Sequence, residues 1–147
     1  MMKKFFMLFV CLMSTITMLA QYNCTVITSD NETVTFRVTG YGKKAKLASA
    51  YAELSAVKAL CFVGATGTAF RLPLISQEQS KAEKEHSDFF DSFYDTTYKD
   101  FIETSTIVSP FGKDAAKRKC LTMDVRVRAL QLRAYLEKSG VIRKFGL

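Results

Sequence analysis

The sequence predicts an α+β fold: an antiparallel sheet of about four strands with helices packed mainly on one face, in the order ββααββα. Three observations carry it. Residues 33–39 alternate, with Val34, Phe36 and Val38 on one side and Thr33, Thr35, Arg37 and Thr39 on the other. Residues 121–128 repeat the pattern, with Leu121, Met123, Val125 and Val127 opposite Thr122, Asp124, Arg126 and Arg128. Between them, residues 45–62 place apolar side chains at spacings of three and four, the period of a helix lying on a core. One-sided alternation in the strands implies a sheet with one wet face, which parallel sheets covered on both sides do not have.

The elements follow in order. Met1-Met2-Lys3-Lys4 is a short basic start, Phe5 to Met13 is an unbroken apolar run, and residues 14–20 are small and polar, which together read as a secretory signal peptide cleaved after Ala20. The run is too short to span a bilayer, so an exported protein, periplasmic or secreted, is expected, with no transmembrane span. Residues 21–147 then make one domain, able to bury roughly two thirds of its unfolded surface. Cys24 to Thr28 is β-branched and meets the second strand through Ser29-Asp30-Asn31-Glu32, a hairpin loop. Asn23-Cys24-Thr25 and Asn31-Glu32-Thr33 have the form of glycosylation acceptors.

The helix at Ala45–Phe62 carries Leu47, Ala50, Leu54, Val57 and Cys61 as its stripe, widened by Ala48, Tyr51, Ala52, Ala56 and Ala59. So much alanine lets a helix lie close to a sheet, and Gly64-Ala-Thr-Gly67 ends it. A longer helix is expected from Ser76, where Gln79 completes a capping-box pattern, to about Ile102, with an aromatic stripe of Phe89, Phe90, Phe93, Tyr94 and Phe101. Glu103 to Ser109, closed by Pro110-Phe111-Gly112, reads as the strand that pairs with 121–128. Leu130 to Ser139 is a short amphipathic helix, capped by Gly140.

Gly40-Tyr41-Gly42-Lys43-Lys44-Ala45, between strand and helix, has the outline of a dinucleotide-binding fingerprint. That fingerprint needs a carboxylate about 20 residues on to hold the ribose hydroxyl, and no Asp or Glu occurs between Glu53 and Glu78. The two glycines are therefore read as a tight exit from the strand, and no cofactor is expected. The phosphate-binding loop, the nucleophile elbow and the paired-histidine zinc motif are missing from the chain. His86 is read as an edge-of-core residue, and Asp88, Asp91 and Asp95 as a solvated acidic face rather than a calcium site. The aromatic stripe is core or, as a sharper alternative, one wall of a cavity for an apolar ligand.

Of the three cysteines beyond the signal peptide, Cys24 and Cys120 form the more plausible disulfide with Cys61 buried, while three unpaired thiols packed as small hydrophobes stand equally open. Charge is segregated. Residues 21–76 carry six basic and three acidic side chains, residues 77–103 three and eight, and residues 104–147 ten and three. This suits steering toward an anionic surface or a complementary subunit; the plainer reading sets the acidic helix over a basic sheet edge of the same molecule. Nucleic acid is not expected, because export separates the chain from it and aromatics do not interleave with the C-terminal basic residues.

A strand ending in Gly-Tyr-Gly, the helix with Ala45, Ala48, Ala52, Ala56 and Ala59, and the late strand and helix Met123-Asp-Val-Arg-Val-Arg-Ala-Leu-Gln-Leu-Arg-Ala-Tyr-Leu-Glu137 resemble the lipoprotein-20 group of bacterial envelope proteins, which includes the N-terminal domain of the flagellar T protein. The resemblance covers most of residues 33–139. It implies a small α+β envelope protein that binds or assembles with other proteins, and it supplies no catalytic residue to carry over to this chain. The chain departs from that group in lacking a lipid-acceptor cysteine and in its aromatic middle helix. The expected function is thus a non-catalytic exported interaction or assembly module, whose partner is an envelope protein or a second copy. Its contact residues are expected at Tyr41, Lys43, Lys44, Lys46, Arg126 and Arg128. Carriage of an apolar ligand in a cavity lined by the Phe-rich helix is the alternative.

Overall fold

The computed structural model describes residues 22–144; the expected signal peptide lies outside them. Strand β1 (Cys24–Ser29) and strand β2 (Val34–Tyr41) form a hairpin, helix α1 (Ala45–Phe62) returns across it, helices α2 (Gln79–Glu85) and α3 (Ser87–Asp95) and a 3-10 turn (Thr97–Phe101) follow, and a second hairpin, β3 (Ile102–Lys113) and β4 (Lys119–Val127), leads into α4 (Ala129–Lys138). The fold is α+β, as expected: all pairings are antiparallel, and the four strands lie in the order β1-β2-β4-β3.

Register explains which residues are dry. Val34 pairs with Val127, Phe36 with Val125 and Val38 with Met123, and all six are buried under α1. The intervening pairs, Thr35 with Arg126, Arg37 with Asp124 and Thr39 with Thr122, face the open side. Threonines from all four strands line it: Thr25 stands beside Arg37, and Thr106 beside Asp124. At its centre the Arg37 guanidinium grips Asp124 with two bonds, at 2.8 and 3.0 Å. That contact holds the Asp124 carboxyl below the usual range, although burial opposes it.

α1 presents alanine, not leucine, to the sheet. Ala48, Ala52, Ala56 and Ala59 are buried, whereas Leu47 is 56% and Tyr51 45% exposed. The stripe expected to run through Leu47 is therefore rotated. The reason lies below it: a Cβ on Gly40 would run into the Ala48 carbonyl and stand 2.8 Å from the Ala52 Cβ, so only small side chains fit between helix and strand. Gly64, at φ +89°, ends the helix as expected, its N–H reaching the Ala59 carbonyl at 2.8 Å.

The single helix expected from Ser76 to about Ile102 is three shorter pieces. The capping box does not form: Glu78 precedes the first turn and its side chain caps nothing. Gln79 instead accepts the Tyr22 hydroxyl and donates to Glu83 at 2.8 Å. The helix breaks at His86 (φ −120°, ψ 42°), where Lys84-Glu85-His86-Ser87-Asp88 offers nothing apolar to bury and Ser and Asp favour a fresh helix start. Past Asp95 the β-branched Thr96-Thr97 pair disfavours helix, the chain tightens into the 3-10 turn, and Ile102 begins β3. β3 also runs further than expected, through Pro110, which an edge strand tolerates because no neighbour needs its N–H.

The aromatic stripe is core. Phe89 stacks on Phe93 with centroids 5.4 Å apart, Phe93 meets Phe101 at 6.2 Å, and Tyr135 of α4 packs against Phe101 at 5.1 Å. Phe90 reaches Phe62 of α1 at 6.1 Å, so α3 covers the C-terminal half of α1 and leaves its N-terminal half open.

Candidate functional site

The site grows from the exit of β2. Tyr41 is the last residue of the strand and pairs with Cys120 of β4, and the Gly42 N–H donates to the Lys119 carbonyl at 3.2 Å. This bond ties the turn before α1 to the β3–β4 hairpin. A Cβ on Gly42 would lie 2.7 Å from the Ala48 nitrogen, so glycine is what allows the turn to close on the helix. Lys43 and Lys44 follow on the turn and Lys46 in the first turn of α1; the hairpin adds Lys113, Lys117, Arg118 and Lys119. All seven are exposed.

Asp114 is the one carboxylate of this hairpin tip. It accepts backbone N–H groups of Arg118 and Ala116, both at 2.9 Å, and pairs with the Arg118 guanidinium at 2.9 Å. These contacts, the Arg118 backbone N–H foremost, hold its carboxyl below the ordinary value. Arg118 also lies over the Tyr41 ring, 4.6 Å from its centroid, and this cation–π contact fixes the ring against the hairpin. A shallow depression lined by Tyr41, Gly42, Lys43 and Lys119 opens beside it. The first turn of α1 has no acidic residue and no side-chain cap, so the positive end of the helix dipole adds to the same field. Leu47 borders the turn, its Cβ 3.1 Å from where a Gly42 Cβ would be, and Phe111 of β3, 36% exposed, precedes Gly112, which pairs with Cys120.

Four of the six expected contact residues, Tyr41, Lys43, Lys44 and Lys46, share this end; Arg126 and Arg128 do not. Arg126 pairs with Thr35, six positions along β4 from Cys120, which places it about 20 Å away at the rise of a strand. It is also engaged, bridging Asp30 at 3.0 Å and Glu103 at 2.8 Å and donating to Thr33 at 3.0 Å. Asp30 in turn accepts the N–H groups of Glu32 and Thr33, at 2.8 and 2.7 Å, and these bonds pull its carboxyl down to about 2. Arg128 is half-buried beside Glu32 and Glu103. The hairpin cations that take their place lay outside the expected set, because only the adjacency of β4 to β2 brings them next to Lys43. The order of antiparallel strands is not written in local periodicity.

Of the two readings left open for the thiols, the structure has the unpaired one. Cys24, Cys61 and Cys120 are all free. Cys24 pairs with Val38 and shares its core-facing side, whereas Cys120 pairs with Tyr41 on the open side, with β2 between their strands. A disulfide demands Cα atoms within about 7 Å and converging Cβ vectors, which opposite faces forbid. Burial pushes the Cys24 and Cys61 thiols up to about 12, so both stay protonated and poorly nucleophilic at neutral pH.

The rings of the Phe-rich helix pack on one another, Phe89 against Phe90 at 5.1 Å and Phe90 against Phe93 at 6.4 Å. An apolar pocket of about 250 Å³ lies elsewhere, between β1 and the C-terminal end of α1, lined by Tyr22, Cys24, Val26, Phe36, Ala59 and Val63 among others. Asp88, Asp91 and Asp95 are exposed along α3, and among the described residues no group of three His, Cys, Asp or Glu side chains converges on a point. No described helix is long and apolar enough to cross a membrane. Compared with protein-family models, curated proteins and solved structures, the chain matches none.

Proposed function

We propose that the chain is a non-catalytic, exported interaction module of the cell envelope, working in the manner of the lipoprotein-20-like proteins, with the basic sheet end as its contact surface. The observation that carries this reading is the convergence of Lys43 and Lys119, from separate segments, on one depression beside Tyr41. Among the described residues the ion pairs are Arg37–Asp124, Arg118–Asp114, Arg126–Asp30 and Arg126–Glu103. None joins the acids of α2 and α3 to the lysines of the sheet end. The segregated charges are therefore presented outward and not spent on each other, which favours a partner over internal neutralisation. A photocrosslinker placed at Tyr41 in living cells should give an adduct with an envelope component that K43E/K44E abolishes, while one at Leu130, at the far end of the sheet, should not. An adduct indifferent to K43E/K44E, or a chain retained in the cytoplasm, would sink the reading.

The pocket beneath β1 supports a second reading, carriage of a small apolar ligand. Native mass spectrometry of the chain recovered from cells should then show a bound mass, and a bare chain at every preparation would exclude it.

A further inference from the structure

The identity of the partner follows from the make-up of the basic end, and this step rests on the reading of that end as the contact surface. Six of its seven cations are lysines, and among the described residues only Arg118 of the seven is ion-paired. The cores of protein–protein interfaces are depleted in lysine and favour arginine and aromatic residues. A lysine is a compact, strongly hydrated charge on a flexible apolar stem, which suits a layer of phosphates with no fixed geometry better than one complementary protein face.

Two large exposed apolar side chains neighbour these lysines in the chain: Leu47, 56% exposed, follows Lys46, and Phe111, 36% exposed, stands two residues before Lys113. A second copy docking through its acidic helices would have little to offer them: among the described residues, the exposed large apolar side chains include none from α2 or α3. The α3 acids, Asp88, Asp91 and Asp95, are exposed on a helix whose Phe90 meets Phe62 at the C-terminal end of α1, while the basic turn precedes its N-terminal end, and α1 has 18 residues and so is about 27 Å long.

We propose that the basic sheet end docks on the surface of an anionic phospholipid bilayer, its lysines among the headgroup phosphates and Leu47 and Phe111 at the acyl boundary. Each lysine brought to such a surface strengthens binding about fivefold, and the attraction is confined to roughly 10 Å at moderate salt, so the molecule binds end-on with its acidic helices turned away. The apolar pair adds contact that salt does not screen.

The test is co-sedimentation of the chain recovered from cells with vesicles of mixed phosphatidylglycerol and phosphatidylcholine, and with phosphatidylcholine alone. Binding is expected to the anionic vesicles only and to weaken with salt. K43E/K44E should weaken it about 30-fold or more at the rate of fivefold per lysine, whereas K81E/K84E, the same charge change on α2, should weaken it less than about threefold, since those side chains lie beyond a Debye length of the surface. L47A/F111A should leave the salt dependence intact and lower binding at every salt concentration. Circular dichroism of each variant separates lost binding from lost fold. Equal binding to neutral vesicles, equal loss from both lysine pairs, or salt-sensitive self-association in place of vesicle binding would overturn the proposal. A crosslink from Tyr41 to a protein, abolished by K43E/K44E without vesicle binding, would overturn the lipid partner and leave the contact surface standing; vesicle binding indifferent to both lysine pairs would remove the surface as well.

Discussion

Gly40 of β2 lies directly under Ala52 of α1, so close that a Cβ on the glycine would be 2.8 Å from the alanine's and would collide with the Ala48 carbonyl. The obstacle is partly backbone, which no rotamer change relieves. Gly40→Ala should therefore cost about 2–3 kcal/mol, the upper range for overpacking a filled core, read as a fall in the denaturation midpoint. Gly40→Val should cost more. A Gly40→Ala chain as stable as the parent would mean that α1 does not rest on the sheet at this spacing.

Asp30 predicts the acid limb of stability. Its folded pKa of about 2 is below the usual 3.8, so the folded state binds the proton less well than the unfolded chain. The stabilisation is complete above about pH 4 and is lost as the pH falls through about 2. Denaturation curves between those values should steepen for the parent, while Asp30→Asn should be weaker at neutral pH and flatter in that window. Identical pH profiles would remove the Glu32 and Thr33 N–H bonds as the cause. As this carboxylate is exposed, the effect should be small.

Thiol chemistry should separate the cysteines. Cys61 is buried, while Cys24 and Cys120 are both half-exposed; the Cys24 and Cys61 thiols are pushed up to about 12 by burial. Under native conditions a maleimide should label Cys120 first, Cys24 more slowly because its thiol stays protonated, and Cys61 only as fast as the fold opens. The Cys24 and Cys61 thiols make folding less favourable in alkali: the unfolded chain ionises them near pH 8.5 and the folded chain does not until about 12, so stability falls as the pH rises across that interval. Peptide mapping that recovers a Cys24–Cys120 disulfide from the folded protein would contradict the strand order itself.

Phe93 is 1% exposed and touches Phe89, Phe101 and Tyr135. Phe93→Ala should cost about 3–5 kcal/mol, whereas Lys43→Ala, on the exposed turn, should stay within about 0.5 kcal/mol of the parent. If Phe93→Ala were equally mild, and the chain acquired affinity for apolar probes, the aromatic helix would be a cavity wall after all.

The sequence by itself determined the α+β class, the four strands, the faces of β2 and β4, and both ends of α1. Each rests on a local signal: Val34, Phe36 and Val38 must share a side because side chains alternate along a strand, and Gly64 stops a helix wherever that helix lies. It also placed Tyr41 and three lysines together, since they are neighbours in the chain. Tertiary structure alone decided the rest. It set β4 beside β2, which added the hairpin cations to that cluster and removed Arg126 and Arg128 to the far end. It put Cys24 and Cys120 on opposite faces, and it turned the Leu47 side of α1 to solvent because Gly40 admits only alanine. These outcomes depend on which strand neighbours which and how closely two surfaces approach, quantities fixed by the joint packing of segments distant in the chain, such as those of Arg37 and Asp124, which are 87 positions apart. No window of local periodicity contains them.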